Sequence, residues 1–207
     1  MEKFQTLVAS DGYEVMLFPM HYMNISQGEY GSVSHVLAMD FLGWGPNGRV
    51  YQCEYYAPCS CRCVAHWGGD ANATWESLDK VHLPDGSLTK VTFAFQHDNN
   101  PPIVGTVARQ GDIIGHSGTA GYVTGDHMHF NTAIGSYDGY SPVGGGFYEL
   151  KNSSHIYNTC YVNDTVIIDG EGYNWVEYDG PIQPISIPKP KPFPWVLYSR
   201  KFRERRN

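Results

Sequence analysis

No stretch of this chain stays apolar for the roughly 20 residues that a membrane-spanning helix needs. The opening residues, Met1-Glu2-Lys3-Phe4-Gln5, hold no basic region leading into an apolar run, so no secretory signal is expected. Basic residues are few: 14 Lys and Arg stand against 21 Asp and Glu, giving a formal charge of −7. A nucleic-acid partner is therefore not expected, and neither is a membrane. Five cysteines, an odd number, cannot all pair within one monomer. Without an export signal they read as free thiols. The glycine-rich run at 111–125 lacks the Lys-Ser/Thr of a phosphate loop and the Gly-x-Gly-x-x-Gly of a dinucleotide site. No repeat of solenoid length occurs.

What is present is turn-rich and β-prone: Gly 23, Pro 13 and Tyr 15 in 207 residues. That length holds one core and one appendage, placed at 1–180 and 181–207. Strands are expected at 34–42, 88–96, 103–108, 112–116 and 162–168, with paired strands in 51–67. Residues 75–83 read as a short helix or irregular insertion, 137–148 as a Gly-rich loop, and 173–178 as a partner for 162–168. From 181 the prolines Pro181, Pro184, Pro188, Pro190, Pro192 and Pro194 mark an extended segment, followed by a basic tail at 199–207.

The chemistry concentrates in Gly125-Asp126-His127-Met128-His129-Phe130. In a strand, residues i and i+2 share a face about 7 Å apart, so His127 and His129 point the same way and Asp126 points away. Two imidazoles are too few for a catalytic zinc, which takes three protein ligands and keeps an open position. His35 and Asp40, and the lone His97 at the end of an apolar run, are further donors that one cleft can gather. Cys59-Ser60-Cys61-Arg62-Cys63 reads as small buried hydrophobes on one strand face rather than a second metal site, because structural zinc cysteines are usually spaced by two to four residues. His116 either lines the cleft or is packed or solvated, whereas His21, His66, His82 and His155 have no partner spacing.

The order His35…Asp40, then His97, then Gly111-Asp112-Ile113-Ile114-Gly115-His116-Ser117-Gly118-Thr119-Ala120-Gly121 and His127-Met128-His129, resembles the lysostaphin/LytM-type zinc endopeptidases. The resemblance spans about residues 18–133, and its start is similar to phage-encoded members. It implies a mainly β fold, an antiparallel sheet forming a groove with few short helices. It implies one Zn2+ per chain held by His35, Asp40 and His129, with His97 and His127 as catalytic histidines. One acts as general base on water and the other orients that water or stabilises the oxyanion; His127 is the first choice for the base. The implied substrate is bacterial peptidoglycan, cut at a peptide bond by an endolysin or a virion-associated lysin. The alternative is an inactive wall-binding or structural phage protein with the same fold. Such a protein is made in the host cytoplasm and acts at the cell wall, released by lysis or carried on a virion, with phage tail or other virion proteins as partners of the C-terminal tail. One departure stands out: four residues separate His35 from Asp40, where the family commonly has three.

Overall fold

The computed structural model describes residues 1–67 and 72–182, and it is mainly β, as expected. Its nine-stranded sheet runs, edge to edge, Val107–Ala108, Cys61–His66, Ala73–Ser77, Val91–Gln96, Met128–Ile134, Met39–Leu42, Tyr22–Gln27 and Val166–Ile168. Ser153–Ser154 adds a short ninth strand beside Met128–Ile134. All pairings are antiparallel except the last, where Val166–Ile168 runs parallel to Tyr22–Gln27.

Strand alternation divides the sheet into two chemically different faces. Register places Cys63, Trp75 and Phe93 side by side, and Phe95 opposite Phe130. These side chains form the dry face, with Phe41 and Met128 continuing it toward the far edge. Phe95 lies between Tyr55 at 4.4 Å and Phe130 at 4.7 Å, both rings stacked on it. Thr74, Gln96, His129 and Asp40 point to the opposite face, which is where the polar groups gather.

Several local expectations are corrected. Residues 75–83 contain no helix. Ala73–Ser77 is an interior strand with Trp75 fully buried, and Val81–His82 forms a small hairpin with Leu88–Thr89. Its alternation of small or aromatic inward residues with Thr74 and Glu76 outward is a strand period. Residues 137–148 are not a loop but a hairpin, Tyr140–Gly144 with Phe147–Leu150, turned by glycines at positive φ. In 34–42 only Met39–Leu42 is strand. Residues 173–178 form no strand with 162–168, whose Val166–Ile168 pairs with Tyr22–Gln27 instead. The strands Val107–Ala108 and Ile113–His116 pair with Cys61–His66 and Glu54–Tyr56. The only helix among the described residues is the short Ile156–Thr159, at a position the sequence reading did not name.

All five cysteines are free, and Cys59, Cys61, Cys63 and Cys160 are buried in the core. Burial pushes the Cys59 and Cys61 thiols well up, Cys63 to about 11 and Cys160 to about 12. They behave as apolar packing, not as thiolate ligands. Most of the expected Pro-rich segment and the whole basic tail, from 183 on, lie outside the described residues. Among the described residues no helix is long and apolar enough to cross a membrane.

Because Phe95 joins two ring stacks at the centre of the dry face, Phe95→Ala is expected to cost about 3–5 kcal/mol. At this size that lowers Tm by roughly 10 °C in a thermal melt. Ile103→Ala, at a site 76% exposed, is the control and is expected to stay within about 0.5 kcal/mol of the parent.

Candidate metal centre

Register assembles most of the site. Asp40 and His129 are direct cross-strand partners, so their side chains share a face with Cβ atoms about 5 Å apart. His129 Nδ1 lies 3.0 Å from Asp40 Oδ1. His35 comes from the irregular segment that precedes Met39–Leu42. Its Nε2 lies 2.9 Å from Asp40 Oδ1 and 3.1 Å from His129 Nδ1. The two nitrogens and the oxygen thus form a triangle with edges of 2.9, 3.0 and 3.1 Å. Ligand atoms around a tetrahedral zinc, with bonds of about 2.0–2.1 Å, stand about 3.3 Å apart. Small outward movements would therefore admit the ion.

The donor set also fits. Two imidazole nitrogens and one carboxylate oxygen make the three-ligand zinc site that keeps an open position. All three residues are buried. Among the described residues they are the one group of His, Cys, Asp or Glu side chains placed to hold an ion. The extra residue between His35 and Asp40 does not separate them, because the chain there is loop rather than strand and doubles back. Burial pushes the Asp40 carboxyl up, yet hydrogen bonds and charge from His129 and His35 outweigh it and hold Asp40 well below the usual carboxylate range. The carboxylate stays ionised, as a ligand must. On its outer side His35 Nδ1 meets Ser34 Oγ at 2.8 Å, Ser32 Oγ at 3.3 Å and Gln27 Nε2 at 2.8 Å. Either serine hydroxyl can accept a proton held on Nδ1, which frees Nε2 as a ligand atom.

Two more imidazoles border the triad. His127 precedes the strand and is bridged to Gly118. Its Nε2 lies 3.5 Å from Asp40 Oδ2, and its Nδ1 lies 2.8 Å from the Gly125 carbonyl. His97 follows strand Val91–Gln96 at φ 76°, with Nδ1 2.8 Å from the Ala120 carbonyl. A carbonyl only accepts, so in each neutral ring the proton sits on Nδ1 and Nε2 has a free lone pair. Burial lowers the His97 pKa to about 4, against the opposing pull of the Ala120 carbonyl. The ring centroids of His97 and His127 are 4.6 Å apart.

All five residues named from sequence line one cleft of about 360 Å³. Asp126 points away and is structural: it accepts from Ser117 Oγ and the Gln52 amide, and it pairs with Arg49. His116 is exposed and lies off this cleft. His82 and His155 pair with Asp11 and Glu29 away from it. Sequence reasoning missed Gln27, Ser34 and Asn72, and an aromatic wall in which Trp67 stacks on Tyr140 at 4.6 Å and meets Tyr148 edge-on at 4.7 Å. It also missed Glu149, whose carboxylate accepts the Val36, Leu37 and Ala38 amides of the His35 loop.

No family model matches the chain. It is 38% identical to morphogenesis protein 1 of Bacillus phage B103, over 85% of this chain and 48% of that protein. The chain thus spans about half the length of the curated relative it matches. Among solved structures it is similar to pseudoalterin, a deep-sea M23 metalloprotease, at 15% identity over 72% of this chain and 79% of the other, with a TM-score of 0.44. It is similar to a zinc-containing peptidase from Vibrio cholerae at 16% identity over 62% and 43%, with a TM-score of 0.41. It is also similar to lysostaphin, an antimicrobial peptidase of Staphylococcus simulans, at 22% identity over 56% and 44%, with a TM-score of 0.40.

The depressed His97 pKa gives a signed expectation for stability. Between about pH 6.5 and 4 the unfolded chain binds a proton at this histidine and the folded chain does not, so stability falls as pH falls through that window and levels below it. The full effect is at most about 3 kcal/mol. Denaturant titrations of the metal-free chain at pH 7, 5.5 and 4 are expected to show a steeper loss for the parent than for His97→Gln.

Proposed function

We propose that this chain is a zinc-dependent endopeptidase that cuts peptide bonds in bacterial peptidoglycan, with His35, Asp40 and His129 as metal ligands and His97 and His127 as catalytic histidines. The observation that carries the reading is the triangle of ligand atoms with two imidazoles, each proton-free at Nε2, beside it in one cleft. Bound zinc would supply Lewis acidity, making water acidic enough to lose a proton near neutral pH and polarising the scissile carbonyl.

The protein's part is proton handling and orientation. His127 Nε2 is placed beside the ligand carboxylate and takes the proton from water. Once protonated it is held by the Gly125 carbonyl on one side and can donate from the other to the leaving amine. His97, uncharged at neutral pH, accepts a hydrogen bond at Nε2 and so aligns the water. Trp67, Phe147 and Tyr148 give the cleft an apolar, aromatic rim against which an extended peptide can lie.

The phage relative's name, a morphogenesis protein, supports a wall-cutting enzyme carried on a virion over one released freely at lysis. In that reading the C-terminal segment from 181 docks onto other virion proteins. The net charge of −7 favours neither nucleic acid nor an anionic membrane surface as partner.

The test is purified protein on isolated cell walls. New amino termini within the wall peptide are expected with zinc. Chelation or His129→Ala is expected to abolish them, and His97→Ala or His127→Ala to cut turnover by about 10²–10⁴ while one zinc stays bound. Undiminished hydrolysis after chelation defeats the proposal. Free lactyl carboxyls, with new amino termini only at the first residue of the stem peptide and none within it, assign the sugar–peptide amide as the bond cut.

A further inference from the structure

We propose that Glu149 is a positioning residue for His35, fixing the loop that presents this ligand to the metal; the inference rests on the metal reading above. Of the three proposed ligands, Asp40 and His129 are placed by the sheet itself, as cross-strand partners in adjacent strands. His35 is not. It stands in an irregular segment, with Val36, Leu37 and Ala38 between it and the first residue of strand Met39–Leu42.

Those three residues turn their amides onto one side chain. Glu149 Oε1 accepts from Val36 N at 2.7 Å, Leu37 N at 2.9 Å and Ala38 N at 3.1 Å, and Oε2 accepts a second contact from Leu37 N at 3.1 Å. Three successive N–H groups around an anion form a concave nest, and hydrogen bonds to a carboxylate are about twice as strong as neutral ones. Glu149 is only 3% exposed, and among the described residues no Lys, Arg or His pairs with it. The loop amides are thus what compensates its buried charge, and the carboxylate is what satisfies them.

The carboxylate comes from strand Phe147–Leu150, whose Phe147 and Tyr148 line the cleft. One hairpin therefore carries part of the groove rim and the support of a proposed ligand. The Ser34 hydroxyl at Nδ1 orients the His35 ring, and Glu149 sets the backbone from which that ring projects.

The experiment uses the full chain with Glu149→Gln and Glu149→Ala. Zinc affinity is read by competition with a chelator, the site geometry by the absorption of the Co(II)-loaded protein, and the loop by amide exchange of Val36, Leu37 and Ala38 without metal. Glu149→Gln keeps one acceptor and the side-chain shape, so zinc affinity is expected to fall about tenfold, against about a hundredfold for Glu149→Ala. The Co(II) spectrum is expected to change in both, with faster exchange at the three amides. If both variants keep the parent's zinc affinity and Co(II) spectrum, the role is overturned, whatever happens to Tm. Should Glu149→Ala fail to fold, Glu149→Gln decides on the same readouts. Free exchange of the three amides in the metal-free parent also overturns the role. A parent chain that takes up no zinc defeats the metal reading itself, a distinct result.

Discussion

Asp40 is the group on which the site depends. It is a carboxylate in a buried position, and a lone buried charge costs several kcal/mol. Here it is met by His35 Nε2 at 2.9 Å and His129 Nδ1 at 3.0 Å, with His127 Nε2 at 3.5 Å from its other oxygen. Three imidazoles around one carboxylate are a poor design for stability alone, because each neutral ring has one proton and the outer nitrogens of His35 and His127 have partners of their own. His127 spends its proton on the Gly125 carbonyl and has none left for Asp40. A divalent cation held by His35, Asp40 and His129 would resolve the shortage: it binds lone pairs and asks for no protons. The proton count, more than the residue types, makes the arrangement read as a metal centre.

The same count bears on the rival reading, a wall-binding relative without catalysis. Its one support in the sequence was the longer His35–Asp40 spacing. That spacing is absorbed by a loop in which three amides fold around Glu149, and His35 still reaches Asp40 at 2.9 Å. The insertion relocates the burden of placing His35 from strand geometry to a side chain more than a hundred positions downstream.

How far the sequence could be read follows from how each feature is encoded. His127 and His129 were legible because strand alternation is local, and Asp126 was assigned to the other face by the same rule. The buried Cys59, Cys61 and Cys63 followed from it too. Trp75 was not legible: its strand is five residues long and is followed closely by polar turn residues, so a short window shows no clear period. The hairpin at 140–150 was hidden by its glycines, which suggest a loop but here turn two strands. Glu149 had no local signal at all. A lone carboxylate in a short strand gains meaning only from the amides it meets, and the distance between them in sequence is 111 to 113 residues.

The glycine-rich run shows what a composition signal hides. Gly111 and Gly121 take φ of 85°, a left-handed backbone suited to glycine. Gly118 serves a different need. A Cβ there would stand 2.2 Å from the His97 carbonyl oxygen, so only glycine lets the loop close on that strand end. The close approach lets the Ala120 amide donate to the His97 carbonyl at 3.1 Å and the Ala120 carbonyl accept from His97 Nδ1 at 2.8 Å. His97 is held from its backbone and its ring by a single neighbour, in a left-handed conformation uncommon for residues other than glycine. Beyond Gly121 the same loop supplies Tyr122, Val123 and Thr124 to the cleft. The run thus builds one wall of the groove and fixes the tautomer of a proposed catalytic histidine, which is why small residues recur there without the Lys-Ser/Thr of a phosphate loop.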